Sequence, residues 1–254
     1  MTRKVLQIAC VIGTSFEVDE IVGISTRLMS IGNDEKEQHI SEVMYALEQA
    51  VEYGIFEELV DNNISDHDDK LGDEAEEVGK VFYSFQHSSW KRLIQSIILD
   101  SFKHDINKYA AFAIEEMYPN QSMRNYRIKL KLFRHWKEAE EKVSAASVAL
   151  NVGKSFKILG LNEQGIEVYN DALDIWKKYE CAEGESRVSG FAPKVLESLD
   201  EQALKLVIRL LICKGQAHGS AGPSQKTNDL YKLQFSYAKI AFEVALSVSL
   251  FENP

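Results

Sequence analysis

Residues that interrupt helices are scarce: four prolines and fourteen glycines in 254 residues. Proline removes a helical N–H and glycine carries the largest backbone entropy cost, so their scarcity leaves long helices allowed almost everywhere. Cysteine is scarce as well. Cys10, Cys181 and Cys213 are odd in number and far apart, which excludes a disulfide framework and points to a reducing, cytoplasmic setting. No CxxC or HxxxH spacing is present, so no zinc site is expected. No apolar run approaches the roughly 20 residues of a membrane span. Basic excess is missing too: 29 Lys and Arg stand against 39 Asp and Glu, a net charge of −10. Such a chain repels nucleic-acid phosphates, so nucleic acid is not the expected partner. Met1 to Lys4 followed by Val5 to Ile12 has the outline of a signal peptide, but Gln7 interrupts it and the helical pattern runs on, so cleavage is not expected.

What is present is ordinary globular chemistry. Hydrophobic residues make up 45% of the chain, and the length suits one large or two small domains. A helix is expected over residues 2–12, with Val5, Leu6, Ile8, Ala9 and Ile12 inward and Gly13 as its stop. Its abrupt start inside a core pattern suggests a fragment of a longer protein. Ser15 is expected to cap a second helix carrying Val18, Ile21, Val22 and Ile24. Asn33 or Asp34 is expected to cap a third, running to about Tyr53, with Ile40, Val43, Met44, Leu47 and Val51 as its stripe and Gly54 as its end.

Residues 61–80 hold eight Asp and Glu against two Lys. That composition predicts a disordered acidic insert. Val81 to Phe85 reads as a strand with Val81, Tyr83 and Phe85 on one face, paired with the segment around 55–60 across an enlarged hairpin loop. Ser88 or Ser89 is expected to cap one long helix to about Met117, with Leu93, Ile94, Ile97, Ile98, Phe102, Ile106 and Tyr109 inward. Three helices, a two-stranded ribbon and a closing helix make a winged-helix-like unit over 1–120.

Helix pairs are expected over 121–254: about 123–137 with Ile128, Leu132, Phe133 and Trp136 inward, then 142–159 and 163–179. Gly153 and Phe156 lie three apart on one helix; Gly165, Tyr169 and Ala172 lie four and three apart on the next. Gly160 to Asn162 forms the turn, with Asn162 as N-cap. The spacing resembles a tetratricopeptide repeat, in which small residues let two antiparallel helices touch and aromatics fill the groove. Ala149 stands at the usual Trp position and Lys177 where Pro often falls. A looser second unit is expected from a helix at 201–217, with Leu204, Val207, Leu210 and Leu211, and a helix from Asn228 with Ala238, Phe242 and Ala245.

Taken in order, these motifs resemble the region downstream of the ATPase core in STAND-type signalling ATPases, including those that accompany class III, soluble adenylyl cyclase-like proteins. Val5 to Phe16 is similar to the family's first winged-helix element. Ala46-Leu47 through Gly54-Ile55 is similar to its small helix followed by glycine. Tyr83 to His87 is similar to the strand before its long helix, and Phe133 to Trp136 followed by Ala139 to the entry of its helical repeats. The resemblance implies a mostly α, non-catalytic arm that relays state or holds a protein partner or another domain of the parent protein. The ATPase and cyclase domains themselves are not in this chain.

No complete active site is expected, and no cofactor or metal. Gly153-Lys154-Ser155 ends like a phosphate loop, but Val148 stands where the first glycine belongs and the stretch lies in a predicted helix. From Asp66, carboxylates at Asp68, Glu74 and Glu77 suggest a calcium loop, but Leu71 replaces its glycine and Lys70 an oxygen ligand. His87, Ser88 and Ser89 are adjacent without forming a triad, and His135 beside Trp136 is a packing position. His39, His67, His104 and His218 form no cluster. Arg124, Arg127, Lys129, Lys131, Arg134 and Lys137, interleaved with Met123, Tyr126, Leu130 and Phe133, form a basic helix face. It suits an acidic protein partner better than DNA, although a winged-helix DNA-binding regulator is the alternative, as is a free-standing helical-repeat adaptor.

Overall fold

A computed structural model describes residues 1–60, 81–119, 125–177 and 199–220. It is mostly helical with one small antiparallel sheet, and it divides into two compact units, Met1–Met117 and Tyr118–Pro254.

The first unit runs α1 (Thr2–Ile12), β1 (Ser15–Glu17), α2 (Val18–Leu28), a 3-10 turn (Asn33–Glu35), α3 (Lys36–Glu52), β2 (Phe56–Val60), β3 (Val81–Phe85), α4 (Ser88–Ile97) and α5 (Asp100–Met117). The sheet has the order β1-β3-β2, both pairs antiparallel. The ribbon of 56–60 with 81–85 is as the sequence pattern predicts; the third strand is not. Ser15 lies in that strand, opposite Ser84, and does not cap α2. The cap is Glu17, in a reciprocal capping box with Glu20 whose carboxylate accepts the Glu17 N–H at 3.2 Å.

Val5, Ile8, Ile21, Ile24, Val43, Leu47, Phe56, Tyr83 and Ile106 share one core. Phe16 sits at its sheet side, edge-on to Phe56 at 5.1 Å and stacked on Tyr83 at 6.1 Å. Each such aromatic pair adds about 0.5–1.5 kcal/mol beyond area burial. The buried face of α3 is His39, Val43, Ala46, Leu47 and Ala50, rotated from the expected stripe. The alanines let α3 approach α1 closely, and Ile40 is left exposed. Neither Asn33 nor Asp34 caps α3; both belong to the 3-10 turn before it.

Residues 88–117 form two helices, not one. Ile98 is extended (φ −86°, ψ 127°), and the chain turns there because α4 packs on α1 and β3 while α5 packs on α2 and α1. Ile94 and Ile98 close over Cys10, whereas Ile106, Ala110 and Ala113 join the main core. His87, not a serine, is the N-cap of α4.

The second unit contains α6 (Tyr126–Glu138), α7 (Lys142–Ile158), α8 (Asn162–Lys177) and α9 (Glu201–Ser220). Asn125 caps α6 by accepting the Ile128 N–H at 3.4 Å. The first carbonyl bonded within α8 is that of Leu161, taken by Gly165 N–H at 3.1 Å, so Asn162 stands one place inside the expected cap. The α6–α7, α7–α8, α7–α9 and α8–α9 pairs are all packed together, around Phe133, Trp136, Phe156, Tyr169, Leu173, Trp176, Val207 and Leu210. The helix expected from Asn228 and the insert at 61–80 lie outside the described residues.

Candidate functional site

The small residues singled out in the sequence lie at the seam of α7 and α8. Gly153 and Gly165 face one another, and a Cβ built on Gly165 reaches to 3.7 Å from the Gly153 carbonyl oxygen. A Cβ on Gly153 would fall inside the Tyr169 ring, so glycine is required there for Tyr169 to lie across α7. The Tyr169 hydroxyl is hydrogen-bonded to the Cys213 thiol of α9, and burial first, then that thiol, raises its pKa. Lys154, Lys157, Gln216 and Ala217 join Tyr169 and Cys213 around a cavity of about 230 Å³. A second hollow of about 270 Å³ lies between α6 and α8, floored by Phe133 and Phe156 and rimmed by Arg134, Glu167 and Asp171.

The Gly153-Lys154-Ser155 triplet lies inside α7. The Ser155 hydroxyl donates to the Asn151 carbonyl at 3.1 Å, and the backbone amides of this stretch belong to a helix, so they cannot wrap a phosphate.

Packing and pairing withdraw two members of the basic stretch. Lys129 is buried, its ammonium donates to Ser155 Oγ at 3.5 Å, and burial lowers its pKa. Lys137 is paired with Asp171 at 2.7 Å. Arg127 and Arg134 are exposed, and Arg124 lies outside the described residues. Arg127, Lys131 and Arg134, at i, i+4 and i+7, still share one side of α6. Lys129 lies three, four and seven residues before Leu132, Phe133 and Trp136, so the helical period already places it on the covered side of α6.

His135 is buried and its pKa falls to about 4, first by burial and then by Lys131 and Arg134. It is neutral at pH 7 and sits in packing, as expected. His87, Ser88 and Ser89 are exposed at the start of α4. A buried pair that the sequence analysis did not single out joins α2 to α3: Ser25 Oγ and His39 Nε2 lie 2.7 Å apart. At 0% and 3% exposure neither can meet a substrate, so the pair ties two helices and is no nucleophile–base couple. Cys10 donates to the Lys91 carbonyl at 3.2 Å, and burial pushes its thiol up to about 11, far from a reactive thiolate. Among the described residues no three His, Cys, Asp or Glu side chains gather as a metal site, and no helix is long and apolar enough to cross a membrane. The residues from Asp66 to Glu77 weighed for calcium lie outside the described residues.

The first unit has a surface feature of a different kind. The outer side of α4 exposes Leu93 and Ile97, each at 55%, and Leu99 follows at 74%. The sequence pattern places Leu93 and Ile97 in the core, but α4 packs on α1 and β3 through Ile94 and Ile98 and leaves them outward.

No protein-family model matches the chain, and comparison with curated proteins and with solved structures finds no match either.

Proposed function

We propose that the chain is a non-catalytic regulatory and protein-interaction segment of a multidomain signalling ATPase or nucleotide-cyclase-like protein, built as a winged-helix unit followed by tetratricopeptide-like helical pairs. The observation that carries the reading is the order of elements in the first unit. A winged helix runs helix, short strand, two helices and a hairpin, with the first strand beside the last, and the order α1–β1–α2–α3–β2–β3 with sheet order β1-β3-β2 supports that reading. The second unit supports the repeat reading: glycines at the α7–α8 seam, Tyr169 across it, and α9 packed on both helices of the preceding pair, the neighbour contacts of stacked repeats. In such an arm the winged-helix unit passes on the state of an upstream ATPase, and the repeats hold the partner.

The DNA-binding alternative is disfavoured by charge. In a winged helix the third helix enters the major groove, and here α3 carries Glu37, Glu42, Glu48 and Glu52 against Lys36 alone. Phosphates are repelled from that face. The test is to sequence the transcript across the codon for Met1. An open frame running upstream into a phosphate-loop ATPase is the expected result. An in-frame stop immediately upstream overturns the relay and leaves a free-standing adaptor.

A further inference from the structure

The cavity beside the α7–α8 seam carries charge of one sign. Lys154 and Lys157 line it, and no Asp or Glu does. Glu163, next in sequence to the lining Asn162, is not part of the lining. Two of the helices that enclose it have the same sign. Helix α7 holds Lys142, Lys154 and Lys157 and no acid, and α9 after Glu201 holds Lys205, Arg209 and Lys214 and no acid. This local excess stands in a chain of net −10. Lys137 and Lys205 are paired with carboxylates, whereas neither Lys154 nor Lys157 has a hydrogen-bond or ion-pair partner among the described residues. Like charges one turn apart on a helix repel each other, and an anion between them relieves both.

At about 230 Å³ the space is smaller than the roughly 300–1,000 Å³ of sites for drug-sized molecules, so its occupant is small. Tyr169 and Ala217 give it an apolar wall and Gln216 an amide. Two ammonium groups are matched by one group that carries close to two negative charges. A phosphate monoester does so at pH 7, with three acceptor oxygens to share between them, whereas a carboxylate brings a single charge. We propose that this cavity binds the phosphate monoester of a small apolar alcohol, with Lys154 and Lys157 on the phosphate and the apolar body against Tyr169 and Ala217. The phosphate meets lysine side chains only, since the backbone amides of this stretch are taken up in α7. A free small molecule and a phosphorylated tyrosine of a partner protein both present that chemistry. The inference goes beyond the function proposed above and does not rest on it.

The probe is phenyl phosphate, read with the full chain by isothermal titration and by alkylation of Cys213, which lines the cavity and is partly exposed. Mass spectrometry of the Cys213 peptide follows that thiol apart from the other cysteines. The expected result is saturable binding that slows alkylation of Cys213. Lys154→Ala/Lys157→Ala, at exposed positions, weakens binding about tenfold or more. Arg3→Ala/Lys36→Ala removes two exposed charges from the first unit and leaves binding unchanged; circular dichroism verifies that both variants fold. Benzoate, with the same ring and one charge, binds more weakly than phenyl phosphate. A short phosphotyrosine peptide that binds more tightly than phenyl phosphate identifies a partner's side chain as the source, and one that binds more weakly identifies a free molecule. The proposal is overturned if neither phenyl phosphate nor the peptide binds, if the lysine variant binds as the wild type does, if benzoate matches phenyl phosphate, or if the bound ester leaves Cys213 unprotected.

Discussion

Gly153 and Tyr169 make one contact that neither residue makes alone. Adding a methyl at Gly153 drives it into the Tyr169 ring, so Gly153→Ala is expected to destabilise the second unit by about 1–3 kcal/mol, the usual cost of overfilling a packed site. In the Tyr169→Ala background the ring is gone, and the same substitution should cost little; thermal denaturation of the two single variants and the double variant reads the coupling. His135 sets a pH dependence. Its folded pKa, about 4, lies below the ordinary 6.5. Above pH 6.5 the imidazole is neutral folded or unfolded, and pH has no effect through it. Between 6.5 and about 4 the unfolded chain takes the proton and the fold does not, so stability falls by about 1.4 kcal/mol per pH unit. His39 and His218 are shifted down by burial as well and add to the loss in the same direction. Denaturant midpoints measured from pH 7.5 to 5 should show this slope, and His135→Gln should flatten it.

At the scale of elements, four helices end on the same device. In α2, α3, α6 and α7 a residue with positive φ follows the last turn: Ser30, Gly54, Glu140 and Gly160. Each time its N–H bonds three residues back, and the next N–H bonds five back, as Gly160 does to Lys157 at 3.2 Å and Leu161 to Phe156 at 2.8 Å. That is the Schellman pattern, which satisfies carbonyls the helix leaves open. Glycine enters it freely, whereas another residue pays about 1–2 kcal/mol for the left-handed conformation. Glu140→Gly is therefore expected to stabilise the fold by up to about 1 kcal/mol and Gly160→Ala to destabilise it by a similar amount, both read as shifts in melting temperature. The two glycine ends, Gly54 and Gly160, were legible from composition and position. Ser30 and Glu140 were not, since nothing in their side chains announces positive φ. The break at Ile98 was hidden for a related reason: Leu93 through Tyr109 keep one continuous helical period, and only packing against different neighbours divides them.

For the molecule as a whole, charge decides what it meets. With a net −10 and glutamates along the exposed side of α3, the chain is expected not to retard duplex DNA in a gel at low salt, where non-specific contacts are strongest. Retardation at low salt that fades as salt rises would return the DNA-binding reading to first place. Helical class, most helix limits, the 56–60 with 81–85 ribbon and the Gly153–Tyr169 seam were all determined by the sequence itself, because each rests on local periodicity or on the spacing of small and large residues within one or two helices. The tertiary structure alone decided the rest. Ser15–Glu17 is a strand only because Phe82 to Ser84, far along the chain, offers it open hydrogen-bonding groups. Leu93 and Ile97 are exterior because α4 packs on α1 and β3 through the side that carries Ile94 and Ile98. A sequence carries the period of a helix, but the neighbours set its phase.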